Sequence, residues 1–414
     1  MADIRTPPFL EFDRPRPTGN VLVTLKELSS DDQLRVLERG AHRAGLAGVT
    51  ARIVDSAEVG TVDLRHIEEP VLLRDYGIGL MPRAQRSEYS AGQLANLLRE
   101  EENVVTARPE FYMFPIEAPV SDTPERTWGI AATGAEESRF TGKGIRIAIL
   151  DTGIDLGHPD FQGRDITTRS FIAGESVEDA QGHGTHCAGT AAGPRAQGDR
   201  PRYGVAPDAE LHVGKVLSNA GSGTEIDILA GMAWAVEAGC EVISMSLGRS
   251  VRVGEEPTIE YERIARRALD AGSLIVAAAG NDSSREFGMI APVGEPANAP
   301  SILAVAAVDA LGAVARFSCG GINPGGGEID LAAPGVDVLS SVPRPRLYRA
   351  LSGTSMACPH VAGLAALWAE SDPALRGRAL WKALVDHARS LDAPARDVGA
   401  GFAWAPGTRA PVGV

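Results

Sequence analysis

Cysteine is scarce in this sequence. Its four cysteines among 414 residues, Cys187, Cys240, Cys319 and Cys358, lie far apart and form no CxxC pair. That spacing argues against a disulfide-stapled scaffold and against a zinc ribbon. Long hydrophobic runs are also missing. Every apolar stretch is broken by charge or glycine well short of 18 residues, so no segment is read as spanning a bilayer. No basic block is present either. The net charge is −14, to which residues 1–120 contribute −5 and the remainder −9, so neither nucleic acid nor an anionic membrane is expected as a main partner. The opening MADIRTPPFLEFDRPRP has no basic region followed by an apolar one. No secretory signal is read there, and a cytoplasmic protein is the expectation.

What is present points to a folded enzyme-sized chain. Hydrophobic residues at 44% and charged residues at 23% can build a sizeable core. The length suggests two or three domains, or one large α/β domain with an appendage. The 47 glycines suit places where backbone turns tightly or approaches a ligand.

Residues 109–127, with four prolines and little periodicity, read as a linker between two regions. The expected division is an extension over 1–19, a small domain over 20–112, a linker over 113–127 and a large domain over 128–410. In the small domain, strands are expected at 20–25, 49–54, 71–81 and 104–107. Helices are expected at 30–43, after the cap-like SSDD, and at 90–101. That order, βαββαβ, is a ferredoxin-like α+β pattern. In the large domain, apolar runs at 145–150, 211–216, 242–247, 274–279 and 302–308 alternate with helical stretches at 225–237 and 258–270. Near-continuous apolar strands alternating with helices predict a doubly wound, mostly parallel α/β sheet with helices on both faces.

Such sheets carry functional groups at the carboxyl ends of their strands. Asp151 ends one, in GIRIAILDTGID. His183 lies in QGHGTHCAGT, at the start of a helical stretch, and Ser355 follows Gly353 and Thr354 at the head of a long apolar helix. Alone, each has an ordinary structural reading: a turn aspartate, a structural histidine, a helix cap. The His183–His186 spacing hints at a metal, but no HExxH pattern or third ligand accompanies it. Pro359 is expected in the first turn, where N–H groups lack intrahelical partners anyway. A serine at a helix N-terminus sits beside donors that stabilise a developing oxyanion.

Together, DTGID, GHGTHCAG and GTSMACPHVAG resemble the subtilisin-like serine protease family, in its chain order Asp, His, Ser. VAAAGN, ending at Asn281, resembles the family's oxyanion-hole segment. Met245-Ser246-Leu247-Gly248 resembles the strand along which substrate backbone pairs. Gly399-Ala-Gly401-Phe402 resembles the closing glycine-rich segment. The resemblance runs from about Trp128 to Pro406. It implies an endopeptidase in which Ser355 attacks, His183 moves the proton, Asp151 holds His183, and Asn281 binds the oxyanion. It further implies that Ser246, Leu247, Gly248, Ala279 and Gly280 contact the peptide. The alternative is a non-hydrolytic relative, either a scaffold or a transpeptidase that passes the acyl group to an amine.

The sequence departs from the family at one ligand loop. Members often hold calcium after the histidine helix, but here residues 192–203 offer one carboxylate among three arginines. Although Asp160 matches a ligand position, no calcium is expected at this loop, structural calcium at another site stays open, and no cofactor is expected for catalysis. Asp282 follows Asn281, and Glu295 lies in Pro292-Val-Gly294-Glu295-Pro296, a stretch resembling the floor of the family's first specificity pocket. Two carboxylates there would favour a basic residue before the cut bond, and otherwise they are solvated surface acids. Cys187, which resembles the proteinase K branch, and Cys358 are expected as buried thiols. Residues 20–112 resemble the family's propeptide, which implies an intramolecular inhibitor released by self-cleavage within 112–120. A permanently attached regulatory domain is the alternative.

Overall fold

The chain divides into two units, Met1–Glu117 and Ala118–Val414. A computed structural model describes residues 17–46, 48–54, 68–73, 77–82, 89–111, 122–195 and 200–407. The expected self-cleavage stretch, 112–120, lies outside the described residues, as does most of the expected N-terminal extension.

The first unit runs β1 (Pro17–Leu25), α1 (Ser30–Arg43), β2 (Arg52–Val54), β3 (Val71–Leu73), β4 (Ile78–Met81), α2 (Ala91–Arg99) and β5 (Val104–Phe111). Ser29 caps α1 by accepting from the Asp32 N–H. Asp31 and Asp32 occupy its first turn and His42 and Arg43 its last, the polarity a helix dipole favours. A reciprocal Ser90–Gln93 capping box starts α2. The sheet order is β2-β3-β4-β1-β5. The single strand expected over 71–81 is instead a hairpin, with Val71 opposite Leu80. Gly77, just before β4, takes the left-handed conformation at φ 58°. The βαββαβ order thus gains a strand, and β2 pairs parallel to β3 at the sheet edge. Val21, Val23, Leu37, Ala41, Leu94 and Leu98 form the core between sheet and helices.

The second unit runs α3 (Trp128–Thr133), β6 (Arg146–Asp151), β7 (Ile166–Ser170), α4 (His183–Ala192), β8 (Glu210–Lys215), α5 (Glu225–Glu237), β9 (Val242–Met245), α6 (Ile259–Asp270), β10 (Leu274–Ala278), β11 (Leu303–Val308) and β12 (Leu331–Pro334). An antiparallel hairpin of β13 (Val338–Ser341) and β14 (Tyr348–Leu351) follows, then α7 (Thr354–Ser371), α8 (Arg378–Asp386) and α9 (Ala395–Val398). The seven strands of the main sheet stand in the order β12-β11-β10-β9-β6-β8-β7, and every pairing is parallel. The doubly wound α/β class expected from the sequence is the one observed. Two strands escaped the pattern: β7 (ITTRS) is a polar edge strand, and β12 (LAAP) spans four residues and ends in proline.

Period-two alternation divides the strands between two cores. Ile147, Ile149, Val276 and Val305 face α4 and α7, whereas Ala148, Leu150, Ala277 and Ala304 face α5 and α6. After β6 the chain first builds β7 and β8 on one side, then β9 to β12 on the other. The carboxyl end of β6 therefore lies at a topological switch point, where open α/β sheets leave a crevice for ligands. Among the described residues, no helix is long and apolar enough to cross a membrane.

Candidate active site

Asp151, His183, Asn281 and Ser355 reach the same edge of the sheet by four routes. Asp151 is the last residue of β6 and is fully buried. His183 opens α4 after Gly182, which sits at φ 104°. Asn281 lies beyond β10, and Ser355 is the second residue of α7. His183 Nδ1 donates to Asp151 at 2.8 Å (Oδ1) and 3.0 Å (Oδ2). Burial pulls the imidazole pKa down, but the Asp151 charge prevails and holds it well above its ordinary value of 6.5. Ser355 Oγ donates to the Ser246 carbonyl at 3.3 Å. A hydrogen bond between nucleophile and base often tightens only with substrate bound.

Asn281 is exposed, but its amide is held in one orientation. Its Oδ1 accepts from the Thr354 N–H and the Thr354 hydroxyl, each at 2.9 Å. The Nδ2 group is left free to face outward. A Cβ built on Gly353 would lie 3.4 Å from Asn281 Nδ2 and 3.6 Å from the Ser355 backbone nitrogen. Glycine thus keeps open a space bordered by two N–H donors, the geometry an oxyanion requires. Thr354, fully buried, was not singled out from sequence, although it lies inside the motif.

Pro359 falls in the second turn of α7 rather than the first. Its missing N–H therefore deprives a real partner, the carbonyl of Ser355, of the i→i−4 bond. That carbonyl accepts instead from Ser246 Oγ at 2.8 Å and Cys187 Sγ at 3.5 Å. Cys187 is fully buried, and burial pushes its thiol pKa up. Cys358, also buried, is pushed up to about 12 and donates to the Val276 carbonyl at 3.3 Å. All four cysteines are buried and unbridged.

The site opens into a cleft of about 810 Å³, lined by Ser246, Leu247, Gly248 and Gly280 among others. Ala279 does not line it. Strand alternation turns Ala279 into the opposite core, fully buried, and Ala278 takes its place at the wall. Both Asp282 and Glu295 line the cleft, but in different ways. Asp282 is exposed. Glu295 is 3% exposed, so it is no solvated surface acid, and it accepts from Arg249 Nε at 2.6 Å. Arg249 also donates to Glu255 at 2.7 Å. Nothing in the sequence tied Arg249 to Glu295, because they are 46 residues apart.

Metal ligation meets competing chemistry at two places. Among the described residues, Asp151, His183 and Cys187 bring donor atoms within 4.8 Å of one another, but the first two are engaged with each other. His186, the other histidine of the HxxH spacing, places Nε2 against the Val338 and Arg349 carbonyls at 3.0 and 3.1 Å. Burial pushes its pKa down to about 4. At the implied calcium position, both Asp160 oxygens face protein donors: Arg200 Nη1 at 2.8 Å on Oδ1, and the Tyr203 and Tyr348 hydroxyls at 2.5 and 2.8 Å on Oδ2. Burial, followed by the Asp160 charge, pushes the Tyr203 pKa upward, so that hydroxyl remains a donor. A calcium ion needs oxygen acceptors around it, and this set of donors does not fit one.

Residues 142–401 match the family described as the subtilase family. Subtilisin E of Bacillus subtilis (strain 168) is 39% identical over 246 residues, covering 59% of this chain and 60% of that protein. Subtilisin DY of Bacillus licheniformis is 39% identical over 247 residues, 59% of this chain and 84% of the relative. M-protease of Shouchella clausii (strain KSM-K16) is 40% identical over 250 residues, again 59% of this chain and 60% of the relative. A parallel α/β sheet with an Asp–His pair and a helix-head serine at its carboxyl edge defines the class of serine hydrolases built on such sheets. The chain belongs to the subtilase family.

Proposed function

We propose that this chain is a serine endopeptidase that cleaves peptide bonds through an acyl-enzyme. The observation that carries the reading is the Nδ1–carboxylate contact of 2.8 Å between His183 and Asp151, beside a glycine-lined space flanked by Asn281 Nδ2 and the Ser355 N–H. A serine hydroxyl is a weak nucleophile at neutral pH and needs an adjacent base. His183 Nε2 takes the Ser355 proton as Oγ attacks the scissile carbonyl, and Asp151 steadies the imidazolium. The oxyanion is held by Asn281 and the Ser355 backbone. When the tetrahedral intermediate collapses, the proton passes to the leaving amine; water then repeats the sequence to release the acyl group. Labelling with a serine-directed fluorophosphonate tests this. Wild type reacts at Ser355, and an unlabelled wild type would reject the assignment.

The cleft contacts peptide through Ser246, Leu247, Gly248 and Gly280, with Ala278 in the wall. Asp282 and Glu295 favour a basic residue before the cut bond. Because Arg249 neutralises much of Glu295, exposed Asp282 carries the larger share of that preference. No calcium is assigned at Asp160, where Arg200 supplies the positive charge.

The first unit is read as an intramolecular inhibitor. Its support is the mixed sheet backed by two helices and the likeness of residues 20–112 to a propeptide. Mass measurement of wild type beside Ser355→Ala tests it. A shortened wild type with an intact variant supports self-cleavage, and two intact chains favour a permanent regulatory domain.

A further inference from the structure

Asp179 lies four residues before His183 and is 5% exposed. Its two oxygens accept five hydrogen bonds. Oδ1 takes the Thr152 hydroxyl at 2.9 Å, the Gln181 N–H at 3.0 Å and the Gly182 N–H at 2.7 Å. Oδ2 takes the Thr185 N–H at 2.9 Å and the Thr185 hydroxyl at 2.7 Å. These donors belong to two segments. Thr152 directly follows Asp151, while Gln181, Gly182 and Thr185 bracket His183. The Thr152 hydroxyl also accepts the Gly184 N–H at 2.8 Å, which closes a second tie between the same segments.

Backbone contact between the segments is as close as it can be. A Cβ at Gly184 would come within 2.3 Å of the Gly153 carbonyl oxygen, and one at Gly153 within 2.1 Å of the Val177 carbonyl oxygen. Packing alone therefore sets how near the segments come, but it does not set their register. Hydrogen bonds are directional and do so. The far side of Thr152 is held as well. Buried Lys215 of β8 donates to the Thr152 carbonyl at 2.5 Å and to Asn219 Oδ1 at 2.9 Å.

We propose that Asp179 is a positioning residue for the reaction, a buried carboxylate that holds the Asp151 strand end and the His183 helix start in the register their mutual hydrogen bond needs. The proposal rests on the serine protease reading. It adds a residue that touches neither substrate nor the reacting atoms and acts through Thr152, Gly182 and Thr185. A carboxylate suits the task because five donors converge on it, whereas an amide of the same shape offers one accepting oxygen and sets an NH₂ group against N–H donors.

The full-length chain carrying Asp179→Asn or Thr152→Val tests it. Thr152→Val preserves shape, removes both ties made by the Thr152 hydroxyl, to Asp179 and from the Gly184 N–H, and leaves the other four donors of Asp179 in place. Misplacement of a catalytic group by roughly 1 Å can cost about 10²-fold in rate. Accordingly, kcat on a peptide substrate is expected to fall about tenfold in Thr152→Val and about 10²-fold in Asp179→Asn, with KM unchanged. The low-field NMR resonance of the His183 Nδ1 proton, an indicator of the Asp151 bond, is expected to shift or vanish in both. A folded variant with wild-type kcat and an unmoved resonance overturns the proposal, as does a raised KM at constant kcat. If Asp179→Asn does not fold, Thr152→Val decides alone by the same two readouts. Failure of the protease reading looks different: wild type itself shows no turnover and no fluorophosphonate labelling, while the resonance comparison still reports on positioning.

Discussion

The Ser246 hydroxyl donates a 2.8 Å hydrogen bond to the backbone carbonyl of Ser355, the carbonyl that Pro359 leaves without its helical partner. The peptide group of the proposed nucleophile is thereby anchored to the segment expected to hold substrate. Ser246 thus lines the cleft while its side chain holds the Ser355 carbonyl.

Ser246→Ala removes that anchor and leaves the backbone intact. One neutral hydrogen bond is worth about 0.5–1.5 kcal/mol, so kcat is expected to fall by up to about tenfold with KM unchanged. Steady-state kinetics on a short peptide substrate measure this. A change confined to KM would reassign Ser246 to peptide contact alone.

Asn281→Ala should lower turnover by about 10²–10³, the loss measured when subtilisin is deprived of its side-chain oxyanion donor. Gly353→Ala should do the same by another route. The backbone there is extended at φ 161°, so alanine folds without strain, yet its methyl fills the space between Asn281 Nδ2 and the Ser355 nitrogen. Equal melting temperature with greatly reduced kcat is the expected pair of results. Wild-type turnover in Gly353→Ala would show that the oxyanion binds elsewhere.

Only neutral His183 can accept the serine proton. Because its pKa is held well above 6.5, kcat/KM should rise with pH along a limb centred above 6.5. Asp151→Asn removes the largest of the interactions that raise it and leaves burial opposed by Cys187 alone. Activity should then drop by about 10⁴, and the residual limb should move to lower pH. The linked stability has a definite sign. The interaction contributes fully below the unfolded value near 6.5 and is lost as pH rises through the folded value. A wild-type limb at or below 6.5 would contradict this.

With Arg200 bonded to Asp160 in the place of a cation, stability is expected to be independent of added calcium. Melting curves in calcium and in chelator should superimpose, and a clear drop with chelator would overturn this. Arg200→Ala should lower stability by up to about 1 kcal/mol. That value is reduced for the arginine's partial exposure, because buried Asp160 keeps its two tyrosine donors.

Cleavage of a peptide library should favour lysine or arginine before the cut bond. Asp282→Asn should weaken that preference, by up to about fivefold for one exposed charge. Glu295→Gln should weaken it less, because Arg249 already compensates the Glu295 charge. The reverse ranking would place the specificity charge at Glu295.

The sequence by itself determined the α/β class, the chain order Asp151, His183, Ser355 and the segment ending at Asn281. Apolar runs of six or seven residues announce doubly buried parallel strands, and glycines mark where backbone must come close, so both can be read locally. The hairpin inside 71–81 was legible only in retrospect, from Gly77 within RDYG. Side-chain direction was harder: Ala278 and Ala279 are chemically identical, and only the pleat decides which one meets the cleft. What the tertiary structure alone decided are bonds between distant positions. Ser246 meets Ser355 across 109 residues, Arg249 meets Glu295 across 46, and Arg200 and Tyr348 meet on Asp160. A hydrogen bond or ion pair depends on distances of a few tenths of an ångström, set by how helices seat on the sheet. No periodicity records that seating. The residue types at the site could therefore be read from the chain, while the partners that orient them became visible only in the fold.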